Sequence, residues 1–326
     1  MASHTMSPPT TLPKALHPQA AHLTQSVHAY LERTYSFSSP ETKHAFLLMD
    51  FPRLVASLAP SGRIERLESA ALFVSLTGIL DDAFSQMSIS DSREIGAKLL
   101  GIMQGGAPAD VLNPLEKILG KIVEDMNAQN PLLAKDVLDG AVTLFLAQTD
   151  KARLDITQLD EYFEFRFRDV GGEYVSNSLI CGIGAKKLTD YGGRFFTALV
   201  RFVNDIVLSR SERAKFNSLE KTTIRHVIIA NDILSWEKEL KEATESNEEG
   251  AALCSVVPIL ARNLGIGFDG AKRVLWAAAR ELEEEMEGLV DSGALSNDGK
   301  RYVQALKYLA SGNEEWCRTT SRYRVE

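Results

Sequence analysis

The sequence predicts an all-α protein, because apolar residues recur at helical spacing through most of its 326 residues. Side chains three and four positions apart lie on one face of a helix, so this spacing is typical of amphipathic helices. Alternating patterns typical of strands are scarce, and no hairpin signal lies between two β-rich segments. We therefore expect one α-helical bundle domain over residues 20–326, after a flexible N-terminal leader of residues 1–19.

The helical pattern is clearest in segments distributed along the whole chain. The predicted helices span residues 67–84, 114–126, 132–148, 218–243, 271–290 and 299–316. The first and the fourth carry segments that are apolar on nearly every face, which is typical of helices at the centre of a domain. GIGFDG at 265–270 matches Gly-x-Gly-x-x-Gly, but it follows a helical segment and not a strand, so we interpret it as a loop.

Composition excludes several classes of function. A net charge of −8 excludes a general basic surface for nucleic acid, so an anionic ligand must be met by local cations or a metal. The 3 cysteines are far apart and odd in number, which disfavours a disulfide framework and favours a reducing, cytoplasmic location. No apolar segment is long enough to span a bilayer.

The segment NDILSWEKE places oxygen-bearing side chains on one face of a predicted helix. Asn231, Ser235 and Glu239 are spaced four residues apart and offer an amide, a hydroxyl and a carboxylate oxygen. A hard cation such as Mg²⁺ prefers these ligands, with water and phosphate oxygens completing its coordination. The alternative interpretation is a solvated polar helix face.

A second acidic motif, LDDAFS, ends an apolar helical segment. Adjacent Asp81 and Asp82 repel each other unless a cation lies between them, which favours a divalent metal. The alternative is an acidic pair that faces water at a helix end. If the two motifs face each other across a cavity, bound Mg²⁺ ions could hold a diphosphate and polarise it as Lewis acids.

Two further segments carry phosphate donors. In EYFEFRFRDVGG, Arg166 precedes Asp169, and a guanidinium can bind phosphate through paired hydrogen bonds while a nearby acid orients it. At the C-terminus, Arg322 and Tyr323 follow Trp316 and offer guanidinium and hydroxyl donors. The alternatives are a surface ion pair at a helix end and a frayed basic tail.

These motifs, in this order over residues 81–323, resemble those of class I terpene synthases, especially microbial and fungal ones. NDILSWEKE resembles the second metal motif of that family, and LDDAFS its aspartate-rich motif. YFEFRFRDVGG resembles the segment with the diphosphate-sensing arginine, and WCRTTSRY the C-terminal motif. Ser85 stands where the aspartate-rich motif usually ends in an acid. In this respect the motif is similar to that of the atypical fungal humulene synthases.

The resemblance implies a role for each matching residue. The metal ligands would be Asp81, Asp82, Asn231, Ser235 and Glu239, holding three Mg²⁺ ions with the diphosphate. The diphosphate contacts would be Lys238, Arg322 and Tyr323. Arg166 would be the diphosphate sensor and Asp169 the linker residue of the same segment. The Val170 carbonyl would approach the forming cation. Aromatic faces stabilise cations, so the pocket would be lined by Phe73, Phe84, Phe163 and Trp316.

The family resemblance implies a Mg²⁺-dependent sesquiterpene cyclase that ionises farnesyl diphosphate and closes the cation to a ring, with a humulene-type product as one possibility. A diterpene cyclase acting on geranylgeranyl diphosphate is the alternative. Ser85 supports a third interpretation, in which the chain is a non-catalytic helical interaction protein. A chain-elongating prenyl diphosphate synthase should show a second aspartate-rich motif. NDILSWEKE occupies the position of that motif, which disfavours this class of enzyme. The oligomeric state stays open, although homodimers are common in this family.

The distance in sequence from Arg166 to Asn231 is longer than the family pattern leads us to expect. We therefore interpret residues 190–214 as an insertion, and Arg194 or Arg201 could share phosphate contacts.

Overall fold

The computed structural model describes residues 8–150, 155–169, 195–246, 253–288 and 295–324, and within these ranges it contains helices and no strand. The predicted all-α class is therefore confirmed. The helices are α1 Ala20–Thr34, α2 Pro40–Met49, α3 Phe51–Leu58, α4 Ile64–Phe84, α5 Ile89–Met103, α6 Pro114–Gln129, α7 Pro131–Gln148, α8 Leu159–Asp169, α9 Phe195–Val203, α10 Arg210–Lys215, α11 Asn217–Glu245, α12 Val256–Leu264, α13 Phe268–Gly288 and α14 Asn297–Thr319. A 3₁₀ turn follows at Ser321–Tyr323.

Local signals set many of the helix ends. Asn113 and Asn130 cap α6 and α7, each accepting a backbone N–H through its side chain, and a proline begins both helices. Gly265 ends α12 with φ of 64°, the left-handed conformation that glycine adopts without strain. The predicted loop at GIGFDG is therefore confirmed for residues 265–267 and wrong for residues 268–270, which form the first turn of α13.

The core is built around α11, which packs against α13 and α14, while α14 packs against α3. Buried apolar side chains form one continuous cluster from Leu12 to Cys317. Gly312 allows the close approach of α14 to α3, because a Cβ there would lie 2.8 Å from backbone atoms of Ser57. In the part of the chain that the structure describes, no helix is both long enough and apolar enough to cross a membrane.

The interpretation of residues 190–214 as an insertion is wrong for its described part. α9 lies in the core against α7, with Phe195 and Phe202 fully buried. Arg201 pairs with Asp136 of α7 at 2.8 Å, so its charge is used in the core and not at a phosphate site. Arg194 lies outside the described residues.

The described part of the N-terminal leader is attached to the helical domain. The backbone N–H and the hydroxyl of Thr11 both donate to Glu283 Oε2 at 2.9 Å, and Leu12 is buried in the core. The Pro13 carbonyl accepts the hydroxyl of Ser311 at 2.6 Å. Residues from Thr11 onward therefore differ from the free leader that composition predicts, because they find partners on α13 and α14.

Candidate active site

A cavity of about 260 Å³ lies between α3, α4, α7, α8, α11 and the C-terminal turn. Asp81, Arg166, Asn231, Glu239 and Arg322 all line it. These residues come from all the motifs that the sequence singled out, some of them 241 positions apart. The fold therefore brings these predicted metal and phosphate residues to one cavity, together with Lys238 and Tyr323. Asp82 and Ser235 are not among the described residues that line it.

The first wall of the cavity is the polar face of α11. Ser235 is buried and donates its hydroxyl to Glu239 Oε1 at 2.6 Å. One turn earlier, Asn231 Nδ2 donates to the Tyr323 hydroxyl at 2.8 Å. Burial, together with the charge of Asp232, raises the pKa of Glu239 to about 7. The three oxygen ligands predicted from helical spacing thus lie on one face, within reach of the cavity.

The second wall is the end of α4. Arg322 Nη2 contacts Asp81 Oδ2 at 2.6 Å, and its Nη1 contacts Asp82 Oδ1 at 2.8 Å. The guanidinium is buried between the two acids and relieves their mutual repulsion. Ser85 lines the cavity, and its hydroxyl donates to the Asp82 carbonyl at 2.9 Å, a bond within the helix end.

Arg166 is anchored by α11. Its Nη2 donates to Asp232 Oδ1 at 3.0 Å and to Asn231 Oδ1 at 3.2 Å. Asp232 is fully buried and also accepts the Tyr162 hydroxyl and, at 2.8 Å, the backbone N–H of Val256. Sequence analysis missed Asp232, although its place beside Asn231 in the motif was a signal.

Two predicted site residues at the end of α8, Asp169 and Val170, cannot be compared with the structure. α8 is described to Asp169, and nothing is described of that side chain, while Val170 lies outside the described residues. Their roles as linker and effector carbonyl stay predictions.

The C-terminal turn contributes the remaining polar groups. Tyr323 packs edge-on against Trp316 with ring centroids 5.8 Å apart. Burial raises the pKa of Tyr323, so its hydroxyl keeps its proton and can donate. Lys238 lines the cavity beside α4 and pairs with Glu242 at 2.8 Å. The Tyr323 hydroxyl and the Lys238 ammonium group can each donate a hydrogen bond to a phosphate oxygen.

The aromatic wall differs from the predicted one. Phe84 and Trp316 line the cavity, as expected. Phe73 is instead fully buried and packs edge-on against Phe195 at 5.1 Å, and Phe163 packs edge-on against Tyr162 at 5.7 Å. Neither belongs to the described residues that line the cavity. Phe73 packs against α9 in the core, whereas Phe163 contacts its neighbour within α8 and packs partly buried against the core. The aromatic lining residues that the sequence did not single out are Phe51, Phe165 and Phe196.

A comparison with known families agrees with this geometry. Residues 72–285 match the sequence model for terpene synthase family 2, C-terminal metal binding. The chain belongs to the terpene synthase family. It is therefore an enzyme of the terpene cyclase class.

Individual relatives extend the match of this terpene synthase over nearly its whole length. It is 32% identical to an aristolochene synthase of Penicillium roqueforti over 321 residues, 97% of this chain and 88% of the relative. It is 30% identical to an aristolochene synthase of Aspergillus terreus, over 98% of this chain and 94% of the relative. The crystal structure of the Penicillium roqueforti aristolochene synthase superposes with a TM-score of 0.78 and 29% identity, covering 97% of this chain and 100% of that one.

The family model implies a divalent metal, and the residues of the cavity fit one. Carboxylate, amide and hydroxyl oxygens converge there from α4 and α11, the ligand types that hard divalent cations prefer. Asn231 Nδ2 already donates to Tyr323, which leaves its Oδ1 directed to the Arg166 side of the cavity. The terpene synthase thus presents hard oxygen ligands beside the groups that would bind phosphate.

A second group of potential ligands does not fit a metal. His226, Glu283 and Glu314 are buried within 4.8 Å of one another. Arg280 contacts both carboxylates, and Arg318 contacts Glu314 at 2.8 Å. With His226 and the contacts from Thr11, every carboxylate oxygen has a partner. The cluster is an internal ion-pair network.

Proposed function

We propose that this terpene synthase is a Mg²⁺-dependent sesquiterpene cyclase that ionises farnesyl diphosphate, releases diphosphate and closes the cation to a ring. The convergence of Asn231 and Glu239 of α11, Asp81 of α4 and Arg166 of α8 on one cavity carries the proposal. The full-length similarity to aristolochene synthases supports a sesquiterpene cyclase. The helical cyclase domain of residues 20–326 is part of the same proposal.

The polar end of the cavity would bind the diphosphate. Asp81, Asp82, Asn231, Ser235 and Glu239 would hold the Mg²⁺ ions, three in the family pattern. When bound, Mg²⁺ withdraws electron density from the leaving diphosphate as a Lewis acid. The phosphate oxygens would accept hydrogen bonds from donors that line the cavity: Arg166, Lys238, Arg322 and Tyr323. Asp169 and the Val170 carbonyl would complete the sensor segment.

The apolar part of the cavity would exclude water from the allylic cation. Phe84 and Trp316, together with the newly found aromatic side chains, present ring faces that stabilise a cation without reacting with it. A cavity of about 260 Å³ lies just below the usual range for ligand pockets, roughly 300–1,000 Å³. This size favours farnesyl diphosphate over geranylgeranyl diphosphate, which is one isoprene unit longer.

The test is incubation of the purified protein with geranyl, farnesyl and geranylgeranyl diphosphates, each with Mg²⁺ and with chelator. Products are identified by gas chromatography and mass spectrometry against aristolochene and humulene standards, and diphosphate release is measured separately. We expect a cyclic product from farnesyl diphosphate that requires Mg²⁺. The humulene-type product predicted from Ser85 is tested by the same chromatogram, and a homodimer by sedimentation.

Matched variants on α11 separate the metal ligands from general effects on the helix. Glu239→Gln should abolish turnover, whereas Glu237→Gln, an exposed position two residues away, should not. A folded protein that makes no product from any of the diphosphates would contradict the proposal and favour the non-catalytic interpretation. A cyclic product from geranylgeranyl diphosphate alone would identify a diterpene cyclase.

A further inference from the structure

Gly78 of α4 lies directly against the ring of Phe51 of α3 at the wall of the cavity. A Cβ at Gly78 would lie 2.4 Å from Cζ and 2.5 Å from Cε2 of that ring. Carbon atoms that are not bonded make favourable contact at about 3.5–4.0 Å. The present position of the ring therefore requires a hydrogen atom, and no larger group, at position 78. Both residues line the cavity.

The ring of Phe51 is held from its other sides as well. Its centroid lies 5.3 Å from that of Trp316 and 5.5 Å from that of Phe46. The indole N–H of Trp316 donates to the carbonyls of Met49 and Asp50 at 2.9 and 3.1 Å, which ties down the turn that precedes Phe51. Asp50 in this turn has φ of 52° and caps α3. A side chain added at Gly78 would thus force the ring against fixed neighbours.

The ring also faces positive charge. The guanidinium carbon of Arg322 lies 5.7 Å from the centroid of Phe51, within the range of a cation–π contact. Arg322 in turn contacts Asp81 and Asp82, so Phe51 stands beside the end of the cavity where diphosphate would bind. An allylic cation formed there would meet this aromatic surface early in the reaction.

We propose that Gly78 and Phe51 form a pair that determines product specificity. The absence of a side chain at Gly78 admits the Phe51 ring to the cavity wall, and the ring fixes the shape of the folded isoprenyl chain and the position of the cation. This inference rests on the proposed cyclase function. It assigns specificity to two residues that none of the metal or diphosphate motifs contains.

The experiment compares Phe51→Leu, Gly78→Ala and the double variant with the wild type. Gly96→Ala is the matched control, because Gly96 is also a buried helical glycine but its added Cβ would meet only Thr149, at 4.0 Å. Diphosphate release gives total turnover from farnesyl diphosphate with Mg²⁺. Gas chromatography and mass spectrometry give the product distribution, and circular dichroism verifies folding.

We expect Phe51→Leu to turn over substrate but to lose the dominance of the wild-type product. Gly78→Ala should change the distribution too and lower turnover by roughly 10-fold or more, since a displacement of about 1 Å at a reacting centre can cost 100-fold. Because leucine is smaller than phenylalanine, the double variant should regain turnover relative to Gly78→Ala. Gly96→Ala should match the wild type in both readouts.

Either of two results would overturn the inference while the proposed function stands. One is an unchanged product distribution in the folded Phe51→Leu variant. This result tests the inference even if the Gly78→Ala variant does not fold. The other is a double variant with no more turnover than Gly78→Ala, which would show that the two positions act independently. A wild type that releases no diphosphate would instead overturn the proposed function, and the inference with it.

Discussion

Asp232 holds Arg166 by a hydrogen bond of 3.0 Å between its Oδ1 and the guanidinium. Its Oδ2 accepts the Tyr162 hydroxyl and the backbone N–H of Val256. One buried carboxylate therefore joins α8, which carries the proposed diphosphate sensor, to α11, which carries the proposed metal ligands, and to the start of α12. The proposed sensor is therefore positioned by the same helix that carries the proposed metal ligands Asn231, Ser235 and Glu239.

We expect Asp232→Asn to destabilise the protein and to impair ionisation. The substitution keeps the shape of the side chain but removes the buried negative charge that the Arg166 guanidinium contacts. Removing one member of a buried ion pair costs about 3–5 kcal/mol in free energy of unfolding, and urea denaturation measures it. Asp139→Asn, which breaks only the exposed pair with Lys135, should change stability by less than about 0.5 kcal/mol. Equal stabilities of the two variants would contradict the role of Asp232.

The unequal positions of Asp81 and Ser85 predict unequal effects on catalysis. Asp81 offers a carboxylate to the cavity, whereas the Ser85 hydroxyl is engaged with a helix carbonyl. Asp81→Asn should lower kcat/KM by about 100-fold or more, and Ser85→Ala by less than about 10-fold. Steady-state kinetics over a range of Mg²⁺ concentrations measures both. Similar losses would mean that Ser85 takes part in metal binding.

The raised pKa of Glu239 predicts a pH-dependent affinity for Mg²⁺. With a pKa of about 7, this carboxyl is protonated in the metal-free protein at lower pH, and the metal requires the carboxylate. The affinity should fall by about tenfold per pH unit below that pKa and level off above it. Titration calorimetry between about pH 5.5 and 8 measures the effect, and Glu239→Gln should flatten the curve. An affinity that does not change with pH in the wild type would contradict this prediction.

The buried network of Glu283 and Glu314 should matter for stability and not for metal binding. Glu314→Gln should leave Arg280 and Arg318 poorly compensated and lower the free energy of unfolding by about 3 kcal/mol. The Mg²⁺ concentration for half-maximal activity should stay the same. Glu315→Gln is the matched control, because its exposed pair with Lys14 contributes little. A shifted Mg²⁺ requirement in Glu314→Gln alone would show that this cluster binds the metal.

Helical spacing predicted α4 and α11 well, because apolar periodicity is a local property of the chain. It also placed Asn231, Ser235 and Glu239 on one face, since a regular helix fixes their relative directions. Spacing cannot tell a cavity wall from a packed core, because both are apolar. For this reason Phe73 was wrongly placed at the cavity, and Phe51 was missed.

Tertiary partners explain the remaining differences. α9 is a core helix because α7 provides its buried partner, and that pairing is invisible in the sequence around residue 200. Asp232 gained its role from Tyr162 and Val256, which belong to other helices. The attachment of Thr11 likewise depends on Glu283, which lies 272 positions away.

Arg322 between Asp81 and Asp82 has a consequence for the order in which ligands bind. The guanidinium compensates the acids of the α4 wall before a cation arrives, so a cation must displace it. A diphosphate offers that displaced guanidinium a new anionic partner. Each ligand therefore releases the group that the other one needs, and by linkage the two should enhance each other's affinity equally. If both ligands bind as proposed, the cavity would bind Mg²⁺ and diphosphate together more tightly than either ion alone.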